Sequence, residues 1–465
     1  MPDSVDILIE GATLLTMDAS RRILTDGAVA IRGDRIVAVG KTSQIKKAYA
    51  GKKVIDGRQR LVMPGLVDGH AHLNEIARGL IPDNLKTSDW LKDWCYPYLA
   101  ATTPEDEYWY SQCLMAEMIR SGTTCFAEPG CSFLPSIVKS IESAGMRATT
   151  GSWVWDHGGP DGQKCPEYFL KMSLKECLDL TENNIKSFNG AAGGRIKIFA
   201  TIEGVGTCSD ELMQGTKAIA DKYKTSTLMH KASSREEAAA EMRATGHRPV
   251  EHMYKIGVLG PNVYLNHMTA VDPYEIDFLA ETDTKVCQNP PAALKLAKGT
   301  TQMGKFIEMR KAGVTVALGC DGVNSGDSKD MFRTMYLAAT LSKDSRLDAA
   351  IITAEEVIEM ATLDGYRALG WEDDLGVIEA GRKADLILID TDRPEFVPTY
   401  NYVYSLVYSA NGDCVDTVMV DGKILMEGRE LTTIDLAEVR AHCRELAPQL
   451  LARSNVKPVS RWPIV

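Results

Sequence analysis

The chain has 465 residues, of which 45% are hydrophobic and 25% are charged, proportions typical of a globular protein with ample core. Its net charge of −11 and its pI near 5.4 argue against nucleic acids and anionic membranes as partners.

The sequence carries no recognisable targeting segment. The N-terminal stretch "MPDSVDILIEGATLLTM" lacks the basic region and the long apolar run of a signal peptide. Apolar runs such as "ADLILID" are far shorter than the ~20 residues that a membrane-spanning helix needs. The eleven cysteines are odd in number and form no CxxC pair, a pattern that favours reduced thiols over a disulfide framework. We therefore predict a cytoplasmic protein.

Both ends of the chain carry short β-type runs separated by turn residues. The first are "VDILIEGATLLTM" and "GAVAIRGDRIVAVG", with Gly33 and Asp34 in a turn between β-type runs. Similar runs return near the C-terminus in "LGVIEAGRKADLILID" and "VDTVMVDGKILMEGRE". Residues 1–62 and 372–465 are therefore predicted to form one composite β-sandwich domain.

Between these ends, residues 63–371 alternate short apolar strands with amphipathic helices. The strand-like runs extend from "LVMPGLVDGHAH" to "VTVALGCDG", and helical segments such as "PEDEYWYSQCLMAEMIRS" lie between them. Eight such alternations predict an α/β fold, a (β/α)8 TIM barrel that forms the catalytic domain.

Polar side chains cluster at the predicted ends of the barrel strands, where such barrels carry their functional residues. His70 and His72 are two residues apart, so both point to the same face of the first strand. Further strands end at Glu203, His230, His267 and Asp321. Imidazole and carboxylate groups gathered at one rim predict a transition-metal site.

The ordered motifs "VMPGLVDGHAH", "AGVTVALGCDG" and "LGVIEAGRKADLILID", with the histidines at the strand ends, resemble the amidohydrolase superfamily over essentially the whole chain. The closest likeness is to the branch of triazine hydrolases and nucleobase aminohydrolases. Within it, hydrolases of herbicide phenylureas and of thiocarbamates such as molinate are most similar in length and motifs. Barrels of this branch are commonly homo-oligomers, so the resemblance implies a homo-oligomer.

The resemblance implies that His70, His72, His230 and Asp321 are metal ligands. His267 is implied either to bind a second metal or to hold the attacking water. The ligand types suit cobalt or zinc best, and manganese or iron as alternatives, with one or two divalent ions per chain. Asp321 is the expected catalytic base, which takes a proton from water and passes it to the leaving group.

Glu203 is a further candidate ligand, because two-metal members of the superfamily carry a bridging carboxylate or carbamylated lysine at this strand. The alternative is that Glu203 supports a ligating histidine. Lys197 lies six residues earlier, deep in the barrel, and is not expected to bridge. Trp153, Trp155 and His157 follow the third strand and are candidate substrate-binding residues, although barrel packing and a solvated loop are their simpler interpretations.

Several positions depart from the deaminases that the chain resembles. Those enzymes usually carry a glutamate three residues after the fifth-strand histidine, where this chain has Ser233. Serine has no useful pKa for carrying a proton to a ring nitrogen. Glu236 and Glu237 are expected to lie too far along the next helix to replace that glutamate.

The seventh strand departs as well, because "QNPPAALKL" has Gln288 where relatives often have histidine. Ala292 and Ala293 replace a polar pair that could orient a heterocycle. These changes favour hydrolysis of a carbonyl-type C–N or C–S bond in a small carbamate, thiocarbamate or urea, and hence a role in xenobiotic degradation. The first alternative is deamination or dechlorination of a pyrimidine, purine or triazine. A non-catalytic barrel is the other alternative, although no metal ligand is missing.

Overall fold

The structure is a computed structural model, and it describes residues 1–157, 172–204 and 206–463. The described residues contain eighteen strands, numbered in chain order: β1 Asp3–Leu15, β2 Ile23–Arg32, β3 Arg35–Lys41, β4 Tyr49–Asp56, β5 Arg60–Pro64, β6 Leu66–Asp68, β7 Thr123–Ala127, β8 Arg147–Thr150, β9 Ile196–Ile198, β10 Ala200–Ile202, β11 Thr227–Lys231, β12 Val263–His267, β13 Lys285–Gln288, β14 Val316–Leu318, β15 Leu386–Asp390, β16 Val415–Val420, β17 Lys423–Glu427 and β18 Glu430–Leu431.

The α-helices of the same residues, again in chain order, are α1 Thr42–Ala48, α2 Thr87–Trp90, α3 Tyr96–Ala100, α4 Pro104–Arg120, α5 Leu134–Ala144, α6 Leu174–Phe188, α7 Ala191–Gly194, α8 Asp210–Tyr223, α9 Arg235–Thr245, α10 Pro249–Lys255, α11 Glu275–Glu281, α12 Pro290–Lys295, α13 Thr300–Met303, α14 Phe306–Lys311, α15 Met331–Arg346, α16 Ala354–Met360, α17 Leu363–Ala368, α18 Tyr402–Tyr408 and α19 Leu436–Ser454. One π-helical turn spans Leu91–Cys95, and a 3-10 turn spans Gly412–Cys414. Across these residues, no helix is long and apolar enough to span a bilayer.

The two ends of the chain share one sheet. Its nine strands run in the order β18-β17-β16-β15-β5-β1-β2-β3, with β4 paired to β1. The join is the antiparallel pair β5 and β15, in which Val62 lies opposite Leu388. The composite character of this region was predicted, but the sandwich of two packed sheets is not confirmed, because the described strands belong to one continuous sheet.

Parallel strands dominate the middle of the chain. Strands β6 to β9 form one parallel sheet and β10 to β14 another. Phe199 separates β9 from β10, and its N–H bonds Thr150 O on one side while Ala200 N–H bonds Ser226 O on the other. The first and last strands meet where Gly69 N donates to Leu318 O at 2.8 Å. This α/β arrangement is consistent with the predicted (β/α)8 barrel.

The C-terminal helix leaves the sheet and packs on the barrel helix α4. His442 stacks on Trp109 with ring centroids 3.8 Å apart, and Cys443 Sγ donates to Trp109 O. Arg453 pairs with Asp106 nearby. Residues 372–465 are therefore not all β structure, and the division of the chain at residues 62 and 371 stays a prediction.

A buried ion pair connects the barrel to the sheet. Arg147, the first residue of β8, is fully buried and donates two hydrogen bonds to Asp385 and a third to Asp421. Its guanidinium also lies over the ring of Trp371, 4.6 Å from the centroid. Arg147 lies at the amino end of β8, whereas the histidines lie at the carboxyl ends of the barrel strands. The nine-stranded sheet that contacts Arg147 therefore lies at the end of the barrel opposite to the histidines.

Substitution of Arg147 by methionine is expected to reduce the free energy of unfolding by about 3–5 kcal/mol, because it leaves the Asp385 carboxylate buried and unpaired. Urea unfolding followed by circular dichroism measures the change. The matched control is Arg35→Met, which breaks the half-exposed pair with Asp374 and should cost about 0–1 kcal/mol. Equal losses in the two variants would contradict the interpretation.

Candidate metal centre

Four histidines and one aspartate converge at the carboxyl ends of the barrel strands. His70 and His72 follow β6, His230 lies in β11, His267 ends β12, and Asp321 follows β14. Two groups of possible ligand atoms each lie within 4.8 Å of one another, namely His70, His72 and His230, and His70, His267 and Asp321.

The separations between ring nitrogens show how close this grouping is. Nε2 of His72 lies 3.3 Å from Nε2 of His230, and Oδ1 of Asp321 lies 3.5 Å from His70 Nε2 and 3.7 Å from His72 Nε2. Both ring nitrogens of His70 are buried without a hydrogen-bond partner. Unpartnered imidazole nitrogens next to a carboxylate oxygen are the donor set of a divalent transition metal, so the residues present fit such an ion.

Neighbouring groups orient these rings. His230 Nδ1 lies 3.0 Å from the main-chain carbonyl of Glu203 and donates to it, which leaves Nε2 free to act as a ligand atom. His72 Nδ1 faces two buried carboxyl groups, Glu75 at 3.7 Å and Glu128 at 3.9 Å. The amide nitrogen of Asn289 lies 3.0 Å from His267 Nδ1. In this amide orientation Asn289 donates, so the proton of a neutral His267 ring lies on Nε2.

Burial keeps the imidazoles neutral. It lowers the pKa of His70 to about 4 and moves the pKa of His72, His230 and His267 below the usual histidine value. Neutral imidazole is the form that binds a metal, so the site needs no proton release from these rings at neutral pH.

The carboxyl groups divide into two kinds. Burial raises the pKa of Glu75 to about 8, so Glu75 carries a proton at neutral pH, and burial also raises the pKa of Glu128. Burial acts on Asp321 in the same direction, but His70, His267 and Lys298 together outweigh it and hold the pKa of Asp321 well below the usual range. Asp321 is therefore the ionised carboxylate of the cluster.

Two of the converging residues have strained backbones. His267 has a φ of 76° and Asp321 a φ of 68°, in the left-handed region that residues with a Cβ rarely adopt. Such conformations cost about 1–3 kcal/mol each and persist where the surrounding structure fixes them, commonly at active sites.

Glu203 lies outside both ligand groups of the described residues. Its carboxylate accepts hydrogen bonds from Tyr96 Oη at 3.3 Å and from Thr207 Oγ1 at 2.9 Å. Glu203 contacts the centre through its main-chain carbonyl, which accepts a hydrogen bond from His230 Nδ1. Lys197 is remote from the centre, with its ammonium 4.0 Å from the Trp371 ring and donating to Gly370 O.

Of the three predicted substrate-binding residues, Trp153 and Trp155 are buried together near the candidate ligands, whereas His157 is exposed. Trp153 is buried, and its ring lies 5.6 Å from that of His72 and 6.0 Å from that of His230. Trp155 packs edge-on against Trp153 at 5.9 Å, and both belong to an apolar cluster with Leu296. His157 is exposed and its main-chain N–H donates to Thr207 O, next to residues 158–171, which lie outside the described part. Trp153 and Trp155 therefore form an aromatic wall next to the candidate ligands.

Sequence reasoning missed four polar residues at this site. Glu128 follows β7, so the rule of strand ends could have found it, and Glu75 lies three residues beyond His72. Glu237 was expected to lie too far along its helix to replace the usual glutamate; its carboxylate turns back from the first turn of α9 and accepts Ser233 N–H at 2.7 Å. Lys298, in the turn after α12, is buried and interacts electrostatically with Asp321, and the sequence gives no signal for it.

A family model described as "Amidohydrolase family" matches residues 61–425. The chain belongs to the amidohydrolase family. A model of an imidazolonepropionase-like composite domain of bacteria also matches residues 27–51. As an amidohydrolase with this ligand cluster, the protein is a metal-dependent hydrolase.

Curated relatives cover nearly the whole chain. A 5-methylthioadenosine/S-adenosylhomocysteine deaminase of Thermoanaerobacter pseudethanolicus is 31% identical over 449 residues, covering 97% of this chain and 100% of the relative. A 5'-deoxyadenosine deaminase of Methanothermobacter thermautotrophicus is 35% identical over 435 residues, covering 93% and 96%. The expected likeness to phenylurea and molinate hydrolases is not specifically supported, and these relatives fit the deaminase alternative better.

Solved structures agree with the fold. An adenosine deaminase of Xanthomonas campestris with bound zinc has a TM-score of 0.88 and 28% identity, covering 97% of this chain and 100% of that one. The zinc-bound atrazine chlorohydrolase of Arthrobacter aurescens has a TM-score of 0.87 and 24% identity, covering 95% and 100%, and this likeness shows the fold alone. A divalent metal is supported, while the predicted choice between cobalt, zinc, manganese and iron stays open.

Replacement of His230 by alanine is expected to lower the metal content per chain well below that of the wild type, because it removes one nitrogen ligand and its oriented lone pair. Elemental mass spectrometry of the purified proteins measures this content. The control His247→Ala changes a histidine whose Nδ1 lies 3.3 Å from the Glu251 carboxylate, away from the cluster, and should bind metal as the wild type does. Unchanged metal content in His230→Ala would remove this residue from the ligand set.

Proposed function

We propose that this protein is a hydrolytic deaminase of an aminated purine nucleoside or related N-heterocycle. The observation that carries the proposal is the convergence of neutral imidazoles on the ionised Asp321, in a chain whose relatives along nearly its whole length are deaminases of adenine nucleosides. The reaction exchanges an amino group on an electrophilic ring carbon for the oxygen of water.

His70, His72, His230 and Asp321 would hold one divalent ion, since the two ligand groups share His70. When bound, such an ion makes water more acidic and polarises the atom next to the attacked carbon. We assign Glu203 to orienting His230 through its carbonyl rather than to bridging two ions, because its carboxylate is engaged by Tyr96 and Thr207.

Asp321 is the proposed base. It is the ionised carboxylate of the cluster, and it can accept the proton of the attacking water and return it to the departing ammonia. When Asn289 donates to its Nδ1, a neutral His267 ring carries its proton on Nε2, which favours the water-holding role over that of a second ligand. A buried wall that includes Trp153 excludes bulk water and offers a flat surface to a ring.

Hydrolysis of a carbamate, thiocarbamate or urea is the second candidate. Ser233, Gln288, Ala292 and Ala293 favour it, because they take the place of groups that would serve a polar heterocycle. A carbonyl carbon needs the same base and the same attacking water, but its leaving group departs without protonation of a ring. The aromatic wall suits an apolar substituent on such a substrate.

A substrate panel separates the two candidates on one preparation of metal-loaded enzyme. 5-Methylthioadenosine, adenosine and S-adenosylhomocysteine are followed by ammonia release and by the ultraviolet change of the purine ring. Phenylureas, carbamates and thiocarbamates such as molinate are followed by mass spectrometry of the amine product. We expect the nucleosides to have the highest kcat/KM, and Asp321→Asn to abolish turnover of whichever class reacts.

Turnover confined to the carbonyl compounds would reject deamination and establish the second candidate. Turnover of neither class would reject both proposals. Preparations of equal metal content are compared throughout, so that a difference in rate reports the substrate and not the fraction of loaded enzyme. The oligomeric state and the cytoplasmic location stay predictions from sequence.

A further inference from the structure

The main chain of Gly322 holds the carboxylate of Asp321 in place. Gly322 N–H donates to Asp321 Oδ1 at 2.7 Å. The same oxygen lies 3.5 Å from His70 Nε2 and 3.7 Å from His72 Nε2. The Gly322 carbonyl in turn accepts hydrogen bonds from the N–H and the hydroxyl of Ser325. The position of Gly322 therefore controls where the candidate ligand oxygen of Asp321 lies.

Two side-chain oxygens occupy the space beside the α-carbon of Gly322. A Cβ added to this residue would lie 2.1 Å from Glu75 Oε2 and 2.6 Å from Asn324 Oδ1, closer than non-bonded atoms approach each other. The backbone of Gly322 is not in the left-handed region, so the conformational freedom of glycine is not what this position requires. The position requires a residue without a side chain, because Glu75 and Asn324 lie against it.

Both oxygens are buried without a hydrogen-bond partner. Glu75 and Asn324 are each 1% exposed, and neither Glu75 Oε2 nor Asn324 Oδ1 has a partner among the described residues. Burial of a polar atom without a hydrogen bond is costly, so this pair needs a physical reason. A half-turn of the Asn324 carboxamide exchanges its oxygen for its NH2 group, which then lies beside Gly322 on the side of Glu75 Oε2. In both orientations the carboxamide covers Gly322.

Cys95 and His72 lie at the other ends of these two side chains. Cys95 Sγ donates to Glu75 Oε1 at 3.6 Å and accepts from Asn324 Nδ2 at 3.7 Å. Glu75 Oε1 also lies 3.7 Å from His72 Nδ1. Glu75 follows β6, Cys95 ends the π-helical turn, and Asn324 follows β14. Three separate segments of the chain therefore meet at the residue that follows Asp321.

We propose that Glu75 and Asn324 are positioning residues for Asp321. Their contacts with the α-carbon of Gly322 hold the N–H group that directs Asp321 Oδ1 toward the candidate ligand histidines. This rests on the proposed role of Asp321 as metal ligand and base. Neither Glu75 nor Asn324 belongs to a ligand group of the described residues, so their effect passes through Gly322. Asp321 has a left-handed φ of 68°, a conformation that persists where surrounding contacts fix it.

A double-mutant cycle tests these contacts. Gly322→Ala should raise the Kd for zinc roughly 10- to 100-fold, the usual effect of disturbing groups that orient a ligand. It should also lower kcat about 10²-fold on the best substrate, the loss expected for a displacement of about 1 Å. In a Glu75→Ala, Asn324→Ala background the space is open, so the same substitution should cause little further loss. Equal losses in the two backgrounds would overturn the proposal.

Gly260→Ala is the matched control. A Cβ on Gly260 has as its nearest neighbour the flexible end of Lys217 at 3.4 Å, and this glycine is also outside the left-handed region. The variant should bind zinc and turn over substrate as the wild type does. Asn324→Ala tests the pair without removing the carboxyl group that faces His72, and it should weaken zinc binding as well. Wild-type zinc affinity in the Glu75→Ala, Asn324→Ala variant would overturn the proposal.

Cobalt spectroscopy separates positioning from stability. The visible bands of cobalt-loaded enzyme report the geometry of its ligands, so displacement of the Asp321 carboxylate in Gly322→Ala should shift them. Arg147→Met, which weakens the base of the barrel, should lower Tm and leave the bands unchanged. A lower Tm in Gly322→Ala with wild-type bands would assign Gly322 a structural role and overturn the proposal.

The triple variant Gly322→Ala, Glu75→Ala, Asn324→Ala decides the case in which Gly322→Ala alone does not fold. Recovery of folding and of zinc binding in the triple variant would support the proposal, and failure to recover them would overturn it. The metal readouts also separate this proposal from the proposed function. If no compound of the substrate panel reacts while zinc affinity and cobalt bands depend on these contacts, the proposed function falls and the positioning of Asp321 stands.

Discussion

The arrangement of the metal centre depends on the hydrogen bonds that join the first and last strands of the parallel array. Gly69 N donates to Leu318 O, Asp321 N donates to His70 O, and the Asp68 carboxylate accepts from Cys320 N. These bonds fix the backbone of His70 against that of Asp321. The Tyr264 hydroxyl also approaches the backbone of Gly69 closely, and a Cβ on Gly69 would lie 2.5 Å from it. Without this join the carboxylate and the first imidazoles would belong to opposite edges of an open sheet.

Burial then determines the charge of each group brought together. Desolvation lowers the pKa of the imidazoles, which favours their neutral form, and raises the pKa of Glu75 and Glu128. Asp321 stays ionised, because His70, His267 and Lys298 hold its pKa well below the usual range. The centre therefore combines neutral nitrogen donors with a single carboxylate, the combination that binds a divalent cation and still admits an electron-rich substrate.

The sequence predicts the part of this site that follows a repeating rule. His70, His230, His267 and Asp321 could be found because parallel strands end at one rim, and the α/β pattern is readable from the alternation of strands and helices. Glu237 and Lys298 could not, because a helix start that folds back and a left-handed turn are set by tertiary packing. The two chain ends were expected to form one β domain, but the single continuous sheet depends on the pairing of Val62 with Leu388, which neither segment encodes alone.

The pairing of β5 with β15 has a consequence for how the chain is made. The edge of β5 emerges from the ribosome more than three hundred residues before its partner, which at usual rates of synthesis is on the order of tens of seconds. During that interval the N-terminal strands present an apolar, unpaired edge that can bind another nascent chain. Completion of the sheet also brings Asp385 and Asp421 to the buried Arg147. Assembly of the barrel base therefore waits for β15 and β16, and the yield of native protein depends on protecting that edge until those strands are made.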